Sequence, residues 1–102
     1  MKTTEEVKEL INRRRRQILV HSVLYYRMDE NLVSDWQYTQ WTVELAELQK
    51  KYPDIAAKCV FAKEFSNFEG FSGFNLPLDD PWAVNKARQL LRLHDKSKGE
   101  KM

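Results

Sequence analysis

From Thr3 to Met28 the chain places apolar or amphipathic side chains three or four residues apart, with no glycine or proline to interrupt them. Val7, Leu10, Ile11, Ile18, His21, Tyr25 and Met28 fall on one stripe, which predicts an amphipathic helix of about six turns. Thr3 with Glu6 three residues on is a capping box, which fixes where that helix begins. The tetrapeptide MDEN then ends the pattern. Ser34 and Gln37 form a second capping box, and Asp35 complements the dipole of a second helix. That helix carries Tyr38, Trp41, Leu45, Leu48 and Tyr52 at spacings of 3, 4, 3 and 4, with Pro53 at its end. Two long amphipathic helices joined by about seven residues must fold back as an antiparallel pair.

The second half is less periodic. DIAAKCVF and AKEFSNF each suit a short helix, with Phe61, Phe65 and Phe68 on one face. EGFSGFNLP reads as a loop, and Asp80 with Pro81 opens a last helix whose apolar side is Ala83, Ala87, Leu90 and Leu91. Only three Gly and three Pro in 102 residues favour an all-α, mainly helical fold over a strand-rich one. The expected organisation is one helical domain over residues 1–94, with the hairpin at 5–55 and an extension at 56–94. A flexible polar tail is expected from 95 to 102.

Charge and chemistry exclude more than they assign. A net charge of +2 is too small to argue for nucleic acid. Arg13, Arg14, Arg15 and Arg16 wrap the circumference of a helix at about 100° each, so they form no single basic face. Arg14 aligns with Val7, Ile11 and Ile18, its stem along apolar surface, and the run reads as solvated or partner-facing. Nucleic-acid contact is then expected to be weak and non-specific. Cys59 reads as a small buried hydrophobe, and a single cysteine suits a cytoplasmic protein. His21 and His94 have no metal-ligand spacing with each other, with Cys59 or with Asp79 and Asp80, so no metal is expected. His21, on the packing stripe, reads as an interior histidine. The sequence GFSG lacks the flanking cations and strands of an RNA-clamping loop. Phe71 and Phe74 sit on this glycine loop, where an exposed aromatic would mark a protein interface. No apolar run approaches membrane-spanning length.

The stretch YYRMDENLVSDWQYTQW, continued by ELAELQKKYPD, resembles the N-terminal Ia domain of bacterial NAD-dependent DNA ligases. That family reads approximately Tyr-Tyr/His, two residues, Asp-x-Pro-x-Ile-Ser-Asp-x-Glu-Tyr-Asp, then a Leu/Glu-rich helix ending in His-Pro or Tyr-Pro. Tyr25, Tyr26, Asp29, Val33, Ser34, Asp35, Tyr38, Glu44, Leu45, Glu47, Leu48 and Pro53 match without a gap, within a likeness that spans roughly residues 5 to 55. The resemblance implies a helical unit that clamps the nicotinamide mononucleotide (NMN) half of NAD. Tyr25 and Tyr26 would offer stacking faces, and Asp35 and Tyr38 polar contacts. A cationic nicotinamide ring favours an aromatic face beside a carboxylate.

The departures are specific. Thr39 replaces the family's Asp, Gln37 its Glu and Asn31 its turn Pro, so a nicotinamide site here would be weakened or lost. The chain has no Lys-x-Asp-Gly, the motif whose lysine the ligases adenylate, and is expected not to be an enzyme. Two readings of the corner stay open. Either Tyr25, Tyr38 and Trp41 pack the hairpin and the native chain binds no nicotinamide nucleotide, or the corner binds NMN or NAD weakly. The leading expectation is a non-catalytic binding module acting through protein or nucleotide contacts, linked to DNA metabolism by resemblance. Its alternatives are a nicotinamide-nucleotide-binding accessory subunit of a split ligase, and a small inhibitor or regulator of a host or mobile-element protein.

Overall fold

The computed structural model describes residues 3–66 and 76–99, with side chains as far as His94. The chain forms α1 (Thr4–Arg27), α2 (Asp35–Lys51), α3 (Pro53–Ala56) and α4 (Pro81–Gly99), with no strand among the described residues. The fold is all-α. Phe68, Phe71, Phe74 and the glycine loop lie outside the described residues.

α1 opens as its sequence requires. Thr3 Oγ1 accepts from the Glu6 N–H at 3.1 Å, and Glu6 Oε1 accepts from the Thr3 N–H at 3.3 Å. Ser34 caps α2 by accepting from the Gln37 N–H at 3.0 Å, and Asp80 Oδ2 accepts from the Ala83 N–H at 3.0 Å to open α4. These caps satisfy N–H groups that have no intrahelical partner, each worth about 1 kcal/mol.

α1 and α2 are antiparallel. Arg14 meets Glu44, Arg15 meets Gln49 and Ser22 meets Tyr38, so later positions on α1 reach earlier positions on α2. α1 is the central element and packs against all three other helices. Val7, Ile11, Ile18, Leu19, Val23 and Leu24 are fully buried on it, and Leu45, Phe65, Ala83 and Ala87 close the core from the other segments. Because α1 is covered on more than one side, its buried surface is wider than the single stripe that the spacing predicts.

That width corrects the reading of the arginines. Arg15, not Arg14, is the one taken inside, at 2 % exposure. Its Nε donates to Gln49 Oε1 at 2.9 Å, and one terminal nitrogen donates to the carbonyls of Ala56 and Val60, both at 2.9 Å. Arg14 is half-buried and pairs with Glu44 at 3.1 Å, while Arg13 and Arg16 are exposed. The run is not a partner-facing unit of four.

Two further expectations change. AKEFSNF is not a helix over its described residues: after α3 the chain makes irregular turns to Ser66, with Phe61 in the left-handed region at φ 56°. This segment follows α1 rather than a period of its own, since the Val60 N–H donates to Asn12 Oδ1 at 2.9 Å and Cys59 lies over Lys8. At the other end, α4 continues to Gly99 instead of ending at residue 94, because Asp95, Lys96, Ser97 and Lys98 are all compatible with a helix. No helix among the described residues is long and apolar enough to cross a membrane.

Candidate functional site

α1 ends in a turn with an unusual backbone position. Asp29 takes φ 52°, a left-handed conformation that Asp tolerates better than most residues. The Glu30 N–H then donates back to the Leu24 carbonyl at 2.9 Å, tying the turn to the last turn of α1. Five residues later Ser34 and Asp35 begin α2. The reversal leaves a cavity of about 220 Å³ between the two helix ends.

Its lining contains Tyr25, Tyr26, Asp35 and Tyr38, all four residues singled out for a nicotinamide site, together with Thr39. The two adjacent tyrosines are not core. Tyr25 is 51 % exposed and Tyr26 38 %, with ring centroids 4.8 Å apart in an edge-to-face arrangement. The packing reading therefore fails for Tyr25. It holds for Trp41, which is half-buried against the His21 ring at 5.2 Å, and for Tyr38. Tyr38 Oη and the fully buried Ser22 Oγ share a hydrogen bond of 2.7 Å, so the phenol is anchored while its ring lines the cavity.

The sequence pattern misses three lining residues. His21 lines the cavity instead of lying wholly inside the core, and burial pushes its imidazole below the usual pKa, which keeps it neutral at pH 7. Glu30 brings a carboxylate from the turn, and Leu32 supplies an apolar wall. Glu30 offsets in part the carboxylate absent at Thr39. Gln37, where the second expected carboxylate is missing, does not line the cavity at all. The only signal that could have found Glu30 was its place next to Asp29 in a four-residue breaker, which fixes the turn but not where its side chains point.

Other candidates fall away. Cys59 is buried, its Sγ donates to the Ile55 carbonyl at 3.2 Å, and burial pushes the thiol up against the opposing influence of Arg15 and Lys8. A thiol held protonated is a poor nucleophile. No group of three or more His, Cys, Asp or Glu side chains among the described residues could hold a metal ion. Arg15 is occupied by protein acceptors, so it offers no phosphate contact.

Among the described residues the cavity thus combines tyrosine faces, two carboxylates and no lysine or arginine. Its volume is below the roughly 300–1,000 Å³ of pockets that engulf a drug-sized ligand, and suits one flat ring with its substituent at the mouth. Comparison with known proteins points to the same segment. The family model of the DNA ligase-like, N-terminal NAD+-binding domain matches residues 4–58. DNA ligase of Pseudothermotoga lettingae is 38 % identical over 55 residues, that of Methylococcus capsulatus 34 % and that of a Thermoanaerobacter species 40 %. Each alignment covers 54 % of this chain and 8 % of the ligase. No solved structure gives a significant match. The matched span takes in α1, α2, α3 and the whole cavity, and on that match over more than half its length the chain belongs to the DNA ligase-like, N-terminal NAD+-binding domain family.

Proposed function

We propose that this chain is a non-catalytic module that binds the nicotinamide end of NMN or NAD, weakly, in the cavity between α1 and α2. The observation that carries the reading is the convergence of Tyr25, Tyr26, Asp35 and Tyr38 on one open cavity, with Tyr25 left half-exposed where a packed corner would bury it. Family membership supports the choice of ligand and the link to DNA metabolism. A cationic ring over tyrosine gains about 0.5–2 kcal/mol, more as the site is desolvated. With Thr39 in place of a carboxylate in the lining, the dissociation constant should be on the order of 1 mM, about 4 kcal/mol.

Calorimetric titration with NMN tests this. Thr39→Asp adds a carboxylate to the lining, and a charge-assisted contact of about 1.5–3 kcal/mol should tighten binding about tenfold to a hundredfold. Tyr25→Ala should remove that gain. Absence of heat from both the native chain and Thr39→Asp would reject the reading. The non-catalytic part rests on the missing Lys-x-Asp-Gly. Incubation with NAD or ATP and Mg²⁺ should leave the intact mass unchanged, and an added AMP would overturn it.

In this role the chain would act as an accessory to a separate catalytic protein, or as a module that senses the nucleotide. A protein-contact reading keeps one observation in its favour: Trp36, next to Asp35, is 68 % exposed. Trp36→Ala should then weaken a protein complex without changing NMN affinity.

A further inference from the structure

We infer that the cavity reads the positive charge of its ligand's ring and leaves a phosphate unread, with Glu30 as the residue that sets this preference. The inference rests on the function proposed above and narrows the ligand to a cationic N-glycosyl pyridinium, a nucleoside rather than a nucleotide.

The charged side chains that line the cavity are Glu30 and Asp35, both carboxylates, and neither forms an ion pair within the described residues. His21 faces the same space without a charge at neutral pH. Arg27, the nearest cation in sequence, does not line the cavity and pairs with Asp79 at 3.1 Å. A phosphate at the mouth would therefore meet like charge and no cation among the described lining residues. Every charged or quadrupolar group in the lining instead favours a cation. The two carboxylates are not equivalent. Asp35 begins α2, where the helix dipole offsets part of its negative charge. Glu30 stands in the turn, outside any helix, with its backbone fixed by the Leu24 bond and its exposed carboxylate in no ion pair among the described residues. Glu30 is thus the better source of discrimination by charge.

The same features rank three ring types. The oxidised nicotinamide ring is cationic and flat. Its dihydro form has gained a hydride and lost the charge. The nicotinic acid ring keeps the cationic nitrogen but adds a carboxylate, which Glu30 and Asp35 repel.

The test is calorimetric titration of the native chain and Glu30→Gln with nicotinamide riboside, dihydronicotinamide riboside, nicotinic acid riboside and NMN. The native chain should bind nicotinamide riboside about tenfold or more tighter than either of the other two ribosides. NMN should bind no tighter than the riboside, and inorganic phosphate should not compete. Glu30→Gln, a turn substitution checked by an unchanged melting temperature, should reduce the preference for the cationic ring to about threefold or less. It should leave the affinity for the dihydro riboside where it was. Equal binding of the cationic and dihydro ribosides, or a preference untouched by Glu30→Gln, would overturn the inference while leaving the binding function in place. NMN binding well above the riboside would do the same. Failure of every ligand to bind would remove the proposed function and this inference together.

Discussion

Arg15 carries a charge into the core and forms no ion pair among the described residues, with the Glu64 carboxylate acting on it only at longer range. Its hydrogen bonds go to Gln49 and to the carbonyls of Ala56 and Val60, and its guanidinium lies 5.7 Å from the centre of the Phe65 ring. Those carbonyls belong to the segment after α2, so Arg15, together with Asn12, ties α1 to that segment. Arg15→Met fills similar volume but takes the donor from the Val60 carbonyl, while the Ala56 carbonyl keeps the Cys59 N–H at 3.2 Å, so it should lower unfolding free energy by about 1–3 kcal/mol. Arg16→Ala, on the exposed side, should change it by less than about 0.5 kcal/mol in the same urea titration. His21 gives a second test at this scale. Burial lowers its folded pKa, while the unfolded imidazole titrates near 6.5. Below about 6.5 the unfolded chain takes up a proton that the folded chain resists, so His21's contribution to stability is complete above that pH. It is lost progressively as the pH falls towards the folded pKa. Melting temperatures of the native chain from pH 7.5 to 5 should decline by more than those of His21→Gln. Nicotinamide riboside should also bind less well at the acid end, because a protonated His21 adds a like charge to the cavity.

Among elements, the α1–α2 pair was legible because its signals are local. A capping box, apolar spacing and a breaker are complete within a few residues of each helix end, and the structure uses Thr3 in a reciprocal box, Ser34 as a one-way cap and MDEN as the breaker. The stretch from Ala57 to Ser66 had no such signal. Its turns are set by Asn12 and Arg15, some 45 residues earlier, and no window of sequence contains both sides of those bonds. Arg15 was hidden for the same reason. A periodic stripe locates the face that meets one neighbour, whereas α1 meets three. The cavity was legible in its helical residues, Tyr25, Tyr26, Asp35 and Tyr38, since the hairpin forces them together. Glu30 was not, because the left-handed backbone at Asp29 decides where the turn's side chains go. The hydrogen bond between Tyr38 and Ser22 ties the two helices just below the cavity. Tyr38→Phe leaves the buried Ser22 hydroxyl short of that partner and should lower stability by about 1–2 kcal/mol in thermal melts, with the ring still in place.

At the scale of the whole molecule, the segment that matches the ligase family is not a complete core. Phe65, Leu76, Leu78, Ala83 and Ala87 are buried and all lie beyond residue 58. α4 packs on α1, and two of its buried positions are alanines, which lets the helix backbones come close. Ala87→Leu should force that contact apart at about 1–3 kcal/mol, a loss that thermal unfolding would register. Because no described α4 residue lines the cavity, the nicotinamide riboside affinity of this variant should be unchanged while it remains folded.

The Glu30–Leu24 bond has a consequence in time rather than in energy alone. α1 buries residues along most of its length, but the turn from Asp29 to Val33 is mostly exposed and is fastened at its ends by that bond and by the Ser34 cap. Segments of this kind open locally long before the whole protein unfolds. The amides of Glu30 and Gln37 should therefore exchange with deuterated solvent far faster than those in the middle of α1. A ligand that needs the turn closed slows that exchange in proportion to its occupancy. At ten times its dissociation constant the added protection is about 1.4 kcal/mol, roughly an elevenfold slowing confined to one end of the molecule.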